Sequence, residues 1–291
     1  MPSSRYPAAV TTDERSNSAA ADATPRAAAA ATTRAAAPAA TAATRATPAA
    51  RPRLVIALDG PASSGKSTVG AEAARRLRYR FCDTGLLYRA VTWLALERGV
   101  APGQTDALVP LADEVELVAD SRGRLCEVRV GERDVTAQVH RPAVDRAVSD
   151  YSKVAQLRSA LVPRQRAIAA AGGIIMAGRD IGTVILPGAD VKIYLSASAE
   201  ERARRRATQR KLSPDGAAAA TILEDLRRRD AIDTGRATAP LRTAADSVVI
   251  LTDGNAFNDT VAAVIRAIHE AEAKRPADVA ATRNEGSVDG P

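Results

Sequence analysis

The run Gly60-Pro61-Ala62-Ser63-Ser64-Gly65-Lys66-Ser67 constrains this chain more than any other stretch, because it spells G-x-x-x-x-G-K-[ST], a loop that holds phosphates. Such a loop works only between a buried strand and a helix N-terminus, where backbone N–H groups and the positive end of the helix dipole converge on an anion. Both flanks are present: Leu54 to Leu58 (LVIAL) reads as a short buried strand, and Thr68 to Leu77 reads as a helix. In that setting residues Gly60 to Thr68 cradle nucleotide phosphates. Lys66 reaches the β- and γ-phosphates, and the Ser67 hydroxyl ligates Mg²⁺.

The 291 residues suffice for a buried core, and the formal net charge of +7 raises a nucleic-acid reading. The distribution of that charge argues against it. Residues 1–53 carry seven Arg against Asp13, Glu14 and Asp22, so +4 of the +7 lies there and only +3 remains for the other 238 residues. Aromatics make up 3% of the chain, too few for base-stacking platforms, and no zinc-finger or RNA-binding signature is present. Cys82 and Cys126 lie far apart and form no C-x-x-C, which suits reduced thiols in a cytoplasmic protein.

Residues 1–52 are a low-complexity run of Ala, Thr, Pro and Arg with almost no large apolar side chains, a composition that predicts a disordered leader. It is neither a membrane span nor a signal h-region, and its early acidic residues argue against a transit peptide. Residues 276–291 read as a second loose tail. The folded domain is expected over 53–275.

Strands and helices alternate along that domain. Arg80-Phe81-Cys82 is a second strand ending in Asp83-Thr84-Gly85, and a helix follows, with Thr84 as its cap and Tyr88 and Arg89 in its first turns. Thr105 to Val118 reads as a further helix. Leu125 to Val130 alternates apolar and polar residues before a Gly131-Glu132 turn, which predicts a β-hairpin. Pro142 to Ala171 is helical with a break near Ser149 to Ser152. Gly173 to Ala177 is an apolar third strand, and Gly178-Arg179-Asp180 stands at its C-terminal end, the edge where open α/β sheets bind ligands. Val191 to Leu195 and Ser247 to Leu251 complete the strands, separated by two Arg-rich helices and the polar stretch Gln209 to Gly216. Phe257 to Ala273 closes the domain as an amphipathic helix. The alternation predicts an α/β fold with a parallel sheet and right-handed crossovers.

A phosphate loop alone does not separate a GTPase switch, a motor ATPase and a small-molecule kinase. No base-reading N-K-x-D is present, nor a long apolar strand ending in D-E. Arginine is abundant where phosphoryl transfer needs positive charge: Arg89, Arg179, Arg202 to Arg206, and the trio Arg229, Asp233 and Arg236, spaced to share one helix face. Arg202 to Arg206 reads equally well as a solvated face, given Glu200 and Glu201 beside it. The Arg-rich helix pair over about 202–236 predicts a lid that excludes water during transfer. His140 and His269, the only histidines, read as surface or insert residues.

Together, Asp59-Gly60-Pro61, Asp83-Thr84-Gly85 with Tyr88-Arg89, Gly178-Arg179-Asp180-Ile181-Gly182-Thr183, Val191-Lys192-Ile193, Glu200-Glu201-Arg202-Ala203 and Arg229-Asp230 resemble the bacterial cytidylate (CMP/dCMP) kinase family, from about Leu54 to Glu272. The resemblance implies a nucleoside-monophosphate-kinase fold with a five-stranded parallel core flanked by helices, and a small CMP-binding insert at about 113–153. ATP-Mg²⁺ would be the donor, and CMP and dCMP the acceptors. By position, Thr84 and Arg89 would bind the acceptor phosphate and Asp83 would stand in the substrate site with them, while Ser149, Arg158 and Asp180 would read the cytosine edge. Arg179 would bridge the phosphates, Arg229 and Asp233 would serve the ribose side, and Arg236 the transferring group. The implied protein is a monomer without nucleic-acid or membrane partners. Two features depart from the pattern: Ala177 stands where some members carry an acid, and the long leader has no counterpart. Two alternatives remain: a P-loop kinase for another small acceptor (UMP, AMP or a shikimate-like molecule), or a nucleotide-binding regulatory protein without turnover.

Overall fold

The fold is seen in a computed structural model, which describes residues 53–213 and 216–274. The expectations for the leader and for 276–291 lie outside those residues. At the centre is β1 (Val55–Asp59), buried along its whole length. Parallel neighbours flank it on both sides, β6 (Ile174–Gly178) and β7 (Val191–Ser196). A strand covered on both faces reads as an unbroken apolar run rather than an alternation, which is why LVIAL carries no polar residue. Ile56 and Leu58 are fully buried, each contributing about 1.5–3 kcal/mol relative to an exposed side chain.

Beyond β6 lies β2 (Arg80–Asp83), and beyond β7 lies β8 (Val248–Leu251), both parallel to the centre, so the expected five-stranded parallel core is present in the order β2-β6-β1-β7-β8. Helices α1 (Lys66–Leu77) and α8 (Phe257–Lys274) cover one face, where Val69, Ala73, Val261 and Val264 meet Ile56, Leu58 and Ile193. On the other face Ala169 of α5 (Ala155–Ala170) packs with Ala57, Ile174 and Met176. The outermost strand β8 leaves Val248, Val249 and Leu251 exposed.

The expected hairpin is real and larger than the pattern suggested. β4 (Arg124–Val130) pairs antiparallel with β3 (Val115–Ala119) and β5 (Arg133–Asp134). It also pairs parallel with β2, Phe81 against Arg124 and Cys82 against Leu125, so the insert extends the main sheet rather than standing apart from it. This corrects the helix expected over Thr105 to Val118. Helix α3 covers only Thr105–Leu108, a 3₁₀ turn carrying Pro110 follows to Ala112, and Val115 begins a strand. Pro110 has no N–H to extend an α-helix. Val115 and Leu117 are claimed by pairing with Val130 and Val128, residues out of reach of any local pattern.

Helix α2 (Gly85–Glu97) buries Leu87, Val91 and Leu94 against α4 (Pro142–Ser152) and α5, forming a core for the acceptor side of the molecule. The helical run from Pro142 breaks at Lys153 and Val154, just past the expected Ser149 to Ser152, where Val154 turns extended. Helices α6 (Ala199–Gln209) and α7 (Ala217–Gly235) form the hairpin expected as a lid. Its contact with the rest is thin: Ala203, Ala207, Ala219, Ile222 and Leu226 gather around Ala62. Alanines bury little area, so only Ile222 and Leu226 add much apolar stabilisation, whereas the sheet core fully buries Ile56, Leu58, Ile174, Ile175, Met176 and Ile193.

Candidate functional site

The loop after β1 turns sharply enough to require glycine at its first position. Gly60 has φ +149°, and a Cβ there would sit 2.2 Å from the Leu195 carbonyl oxygen. Gly65, at φ +97°, starts α1 so that the N–H groups of its first turn face the loop. Lys66 folds back over this loop, its Nζ donating to the Pro61 carbonyl at 2.6 Å and to the Ser64 hydroxyl at 3.3 Å. Burial, with Arg179 nearby, pushes the Lys66 ammonium well below its ordinary pKa. A neighbouring anion would reverse that trend.

Asp59, the last residue of β1, performs a task the sequence did not reveal. Its buried carboxylate accepts hydrogen bonds from Ile181 N (2.8 Å) and Gly182 N (2.7 Å), tying the turn after Gly178-Arg179-Asp180 to the phosphate loop. Burial raises its pKa to about 6, against the pull of those two N–H donors. Gly178 lets that turn pass under Thr84, because a Cβ there would meet Ile181 Cδ1 at 2.6 Å and Thr84 Oγ1 at 2.8 Å.

Two acidic–basic clusters stand beyond the loop. In the first, Asp180 pairs with Arg158. Arg158 also donates to the Ser152 carbonyl at 3.1 Å and lies 5.3 Å from the Tyr88 ring centre. Arg158 and Asp180 are 4% and 5% exposed, an ion pair that is profitable only when further partners complete it. In the second, Asp233 accepts from Arg179 Nε at 2.8 Å and from Arg236, which also reaches Ser152 Oγ at 3.1 Å. Burial works against the charge on Asp233, yet Arg179 and Arg236 outweigh it and hold the carboxyl below its ordinary pKa. The expected single helix face is therefore corrected: α7 ends at Gly235, Arg236 is extended, and it reaches Asp233 from beyond the helix end.

Thr84 also departs from expectation. It occupies the cap position of α2, but its hydroxyl donates back to the Ala177 carbonyl at 2.9 Å, and Asp83 Oδ1 accepts the first-turn N–H of Gly85 at 3.0 Å instead. The other Asp83 oxygen accepts from Ser67 Oγ. Asp83 stands in register with Ala177 across β2 and β6, so a carboxylate borders the Ala177 position after all.

The loop and both clusters face one cavity of about 500 Å³. Its walls include Ala62, Ser63, Gly65, Lys66, Ser67 and Thr68 from the loop, and Asp83, Thr84, Arg89, Ser149, Arg158, Arg179, Asp180, Arg229, Asp233 and Arg236 from elsewhere. Gly60, Pro61 and Ser64 shape the loop from behind. Arg205 and Arg206, from the run that reads equally well as a solvated face, line it as well, and so does Ser152, which no sequence motif marks. Eight cationic side chains face three carboxylates there. The buried Nε atoms of Arg158, Arg229 and Arg236 have no hydrogen-bond partner, and burial with Arg179 close by lowers Arg229 to about pKa 10. Buried donors without acceptors and crowded cations fit an anionic occupant. Arg202, from the run that read as a solvated face, is buried: it donates to the Ala62 carbonyl at 3.2 Å and forks onto Asp230, joining α6, α7 and the phosphate loop.

A loop that grips a chain of phosphates, facing a second anion-binding wall across a shared cavity, is the layout of a P-loop phosphotransferase acting on small molecules. The chain matches the cytidylate kinase family model over residues 56–270, and it belongs to that family. It is 43% identical over 220 residues to the cytidylate kinase of Geobacillus thermodenitrificans, spanning 75% of this chain and 97% of the relative. Its identity to the cytidylate kinase of Enterococcus faecalis is 40% over 218 residues, 75% of this chain and 96% of the relative. The cytidylate kinase of Rhodococcus opacus is 41% identical over 220 residues, 75% and 95% of the two chains. The family identifies the protein as a kinase with ATP as phosphate donor and a small nucleotide as acceptor.

Proposed function

We propose that the protein transfers the γ-phosphoryl group of ATP to CMP and dCMP, reversibly, giving ADP and CDP or dCDP. The observation that carries the cytosine assignment is the Arg158–Asp180 pair, buried in the cavity wall beside Ser149. A carboxylate accepts from the exocyclic amine of cytosine, and a guanidinium donates to its ring carbonyl. Uracil would set a carbonyl against the same carboxylate, leaving a buried acceptor unpaired.

In this reading the loop holds the donor triphosphate, and Thr84 and Arg89 hold the acceptor phosphate. Asp233 keeps Arg179 and Arg236 aimed at the space between, where charge spreads during transfer, and Arg229 adds to that field. Lys66 exchanges its loop contacts for the β/γ-phosphates. Among the described residues no group of three or more His, Cys, Asp or Glu could hold a metal by itself. A magnesium ion held by one or two protein oxygens plus phosphates fits that donor set, with the Ser67 hydroxyl and the adjacent Asp83 carboxylate as its contacts. When bound there, the ion would supply positive charge against the developing phosphate charge. No residue need act as nucleophile. The compartment implied is the cytoplasm, which the free thiols of Cys82 and Cys126 suit. Among the described residues no helix is long and apolar enough to cross a membrane.

An acceptor profile tests the proposal: ADP release measured with CMP, dCMP, UMP, AMP and shikimate at equal concentrations. CMP and dCMP should turn over fastest, and faster turnover of UMP or AMP would refute the cytosine assignment.

A further inference from the structure

Asp145, on α4, lies outside the catalytic groups named above and holds three arginines from two other elements. Its Oδ1 accepts from Arg89 of α2 at 2.5 Å, and its Oδ2 lies 3.1 Å from Arg206 and 3.5 Å from Arg210, both at the end of the α6 segment. Arg89 is further fixed by donating to the Val139 carbonyl at 3.1 Å. Arg89 and Arg206 line the main cavity; Asp145 does not, and stands behind them in a smaller hollow of about 200 Å³ shared with Arg206, Arg210 and Arg229. One carboxylate therefore joins the arginine assigned to the acceptor phosphate with the arginines of the lid hairpin.

We propose that Asp145 is a positioning residue that stands in for the acceptor phosphate: it holds Arg89 and Arg206 together until the phosphate of the nucleoside monophosphate takes over Arg89. This rests on the reading of Arg89 as an acceptor-phosphate ligand. Without a carboxylate between them, Arg89, Arg206 and Arg210 would repel one another and the thinly packed hairpin would swing outward. With it, the cluster is assembled in advance. The arrangement has a cost that identifies it, because a fixed negative charge behind Arg89 competes with an incoming phosphate. The pair is only about one-fifth exposed, so solvent screens that competition incompletely. Burial disfavours the charge on Asp145, yet Arg89 and Arg206 outweigh it and keep the carboxyl below its ordinary pKa, so the competitor is present at neutral pH.

The test is Asp145→Asn in the full-length protein, with calorimetric titration of CMP and of cytidine, and steady-state kinetics with ATP. Neutralising the carboxylate should tighten CMP binding about fivefold, leave cytidine binding unchanged and lower kcat about tenfold, because the lid arginine loses its anchor. A merely structural role would weaken both ligands or neither. Asp145→Glu, which keeps the charge, should restore kcat to within about threefold of the parent protein. Unchanged or weaker CMP binding in Asp145→Asn overturns the proposal, as does equal tightening of cytidine. Arg89→Ala separates this from failure of the underlying assignment. If that variant binds CMP normally, Arg89 is not the phosphate ligand and the stand-in role falls with it. If it binds CMP weakly while Asp145→Asn binds it as the parent does, only the role of Asp145 is wrong.

Discussion

Arg179 reaches the cavity from the end of β6 and is held by Asp233, so its charge is fixed before any ligand arrives. Its truncation tests whether that charge acts on the transferring group. Arg179→Ala should lower kcat by about 10²–10³, the usual effect of removing one preorganised donor, while ATP binding is largely retained. Full retention of kcat would mean that Arg179 does not act on the transferring phosphoryl group. Asp59 makes a different prediction. Burial raises its pKa from 3.8 to about 6, so the folded protein holds this proton more tightly than the unfolded chain does. Between pH 4 and pH 6 the folded state binds more protons at this position, and its contribution to stability therefore falls as pH rises, by roughly 2–3 kcal/mol. Asp59→Asn abolishes that titration and turns an amide N–H₂ toward one of the two backbone donors. The stability gap between parent and variant, from urea unfolding at pH 4 and pH 7, should be larger at pH 4. A gap that widens with pH would contradict the burial effect.

At the scale of elements, the α6–α7 hairpin meets the rest of the domain largely through arginine side chains: Arg202 on the Ala62 carbonyl, Arg205 on Thr252 and Arg206 on Asp145. Arg202 also forks onto Asp230 of α7, so one side chain joins the two helices to each other and to the phosphate loop. Arg202→Met keeps the side-chain bulk and removes that tie. It should raise the KM for ATP about tenfold and cost about 1–3 kcal/mol, less than a fully buried pair because Asp230 is partly exposed. Initial rates against ATP concentration and denaturant midpoints check both values. Arg202 also marks the limit of what the sequence shows. In a run of Arg and Glu it cannot be told from a solvated face, and its distinguishing partner lies 28 residues away. Asp145 is hidden for the same reason, since its arginines are brought to it only by the fold. By contrast the phosphate loop, Gly178-Arg179-Asp180 and the parallel core are written in contiguous signals: an apolar run, a glycine turn, then a charge at a strand end. Strand β3 escaped notice because its partner β4 competes with a helical pattern that is locally adequate. The i, i+7 spacing of Arg229 and Arg236 suits one helix face, but spacing alone does not show where α7 ends.

On the scale of the whole molecule, the family match begins at residue 56, beyond the leader. Removal of residues 1–52 should therefore leave kcat and both KM values within about twofold of the full-length protein, measured side by side by ADP release. A large loss would give the leader a part in the site. The described domain divides unevenly around its cavity. The acceptor wall is fastened through α2 and through the pairing of β4 with β2, and the hairpin over the donor side rests on two large apolar side chains and a few arginines. Amide hydrogens of β2 and β4 should then exchange at the rate of global unfolding, whereas those of α6 and α7 should exchange through small, frequent openings. Such an asymmetry would work as an anvil and a hammer: one substrate measured against a rigid template, the other released by a flap that leaves the template undisturbed.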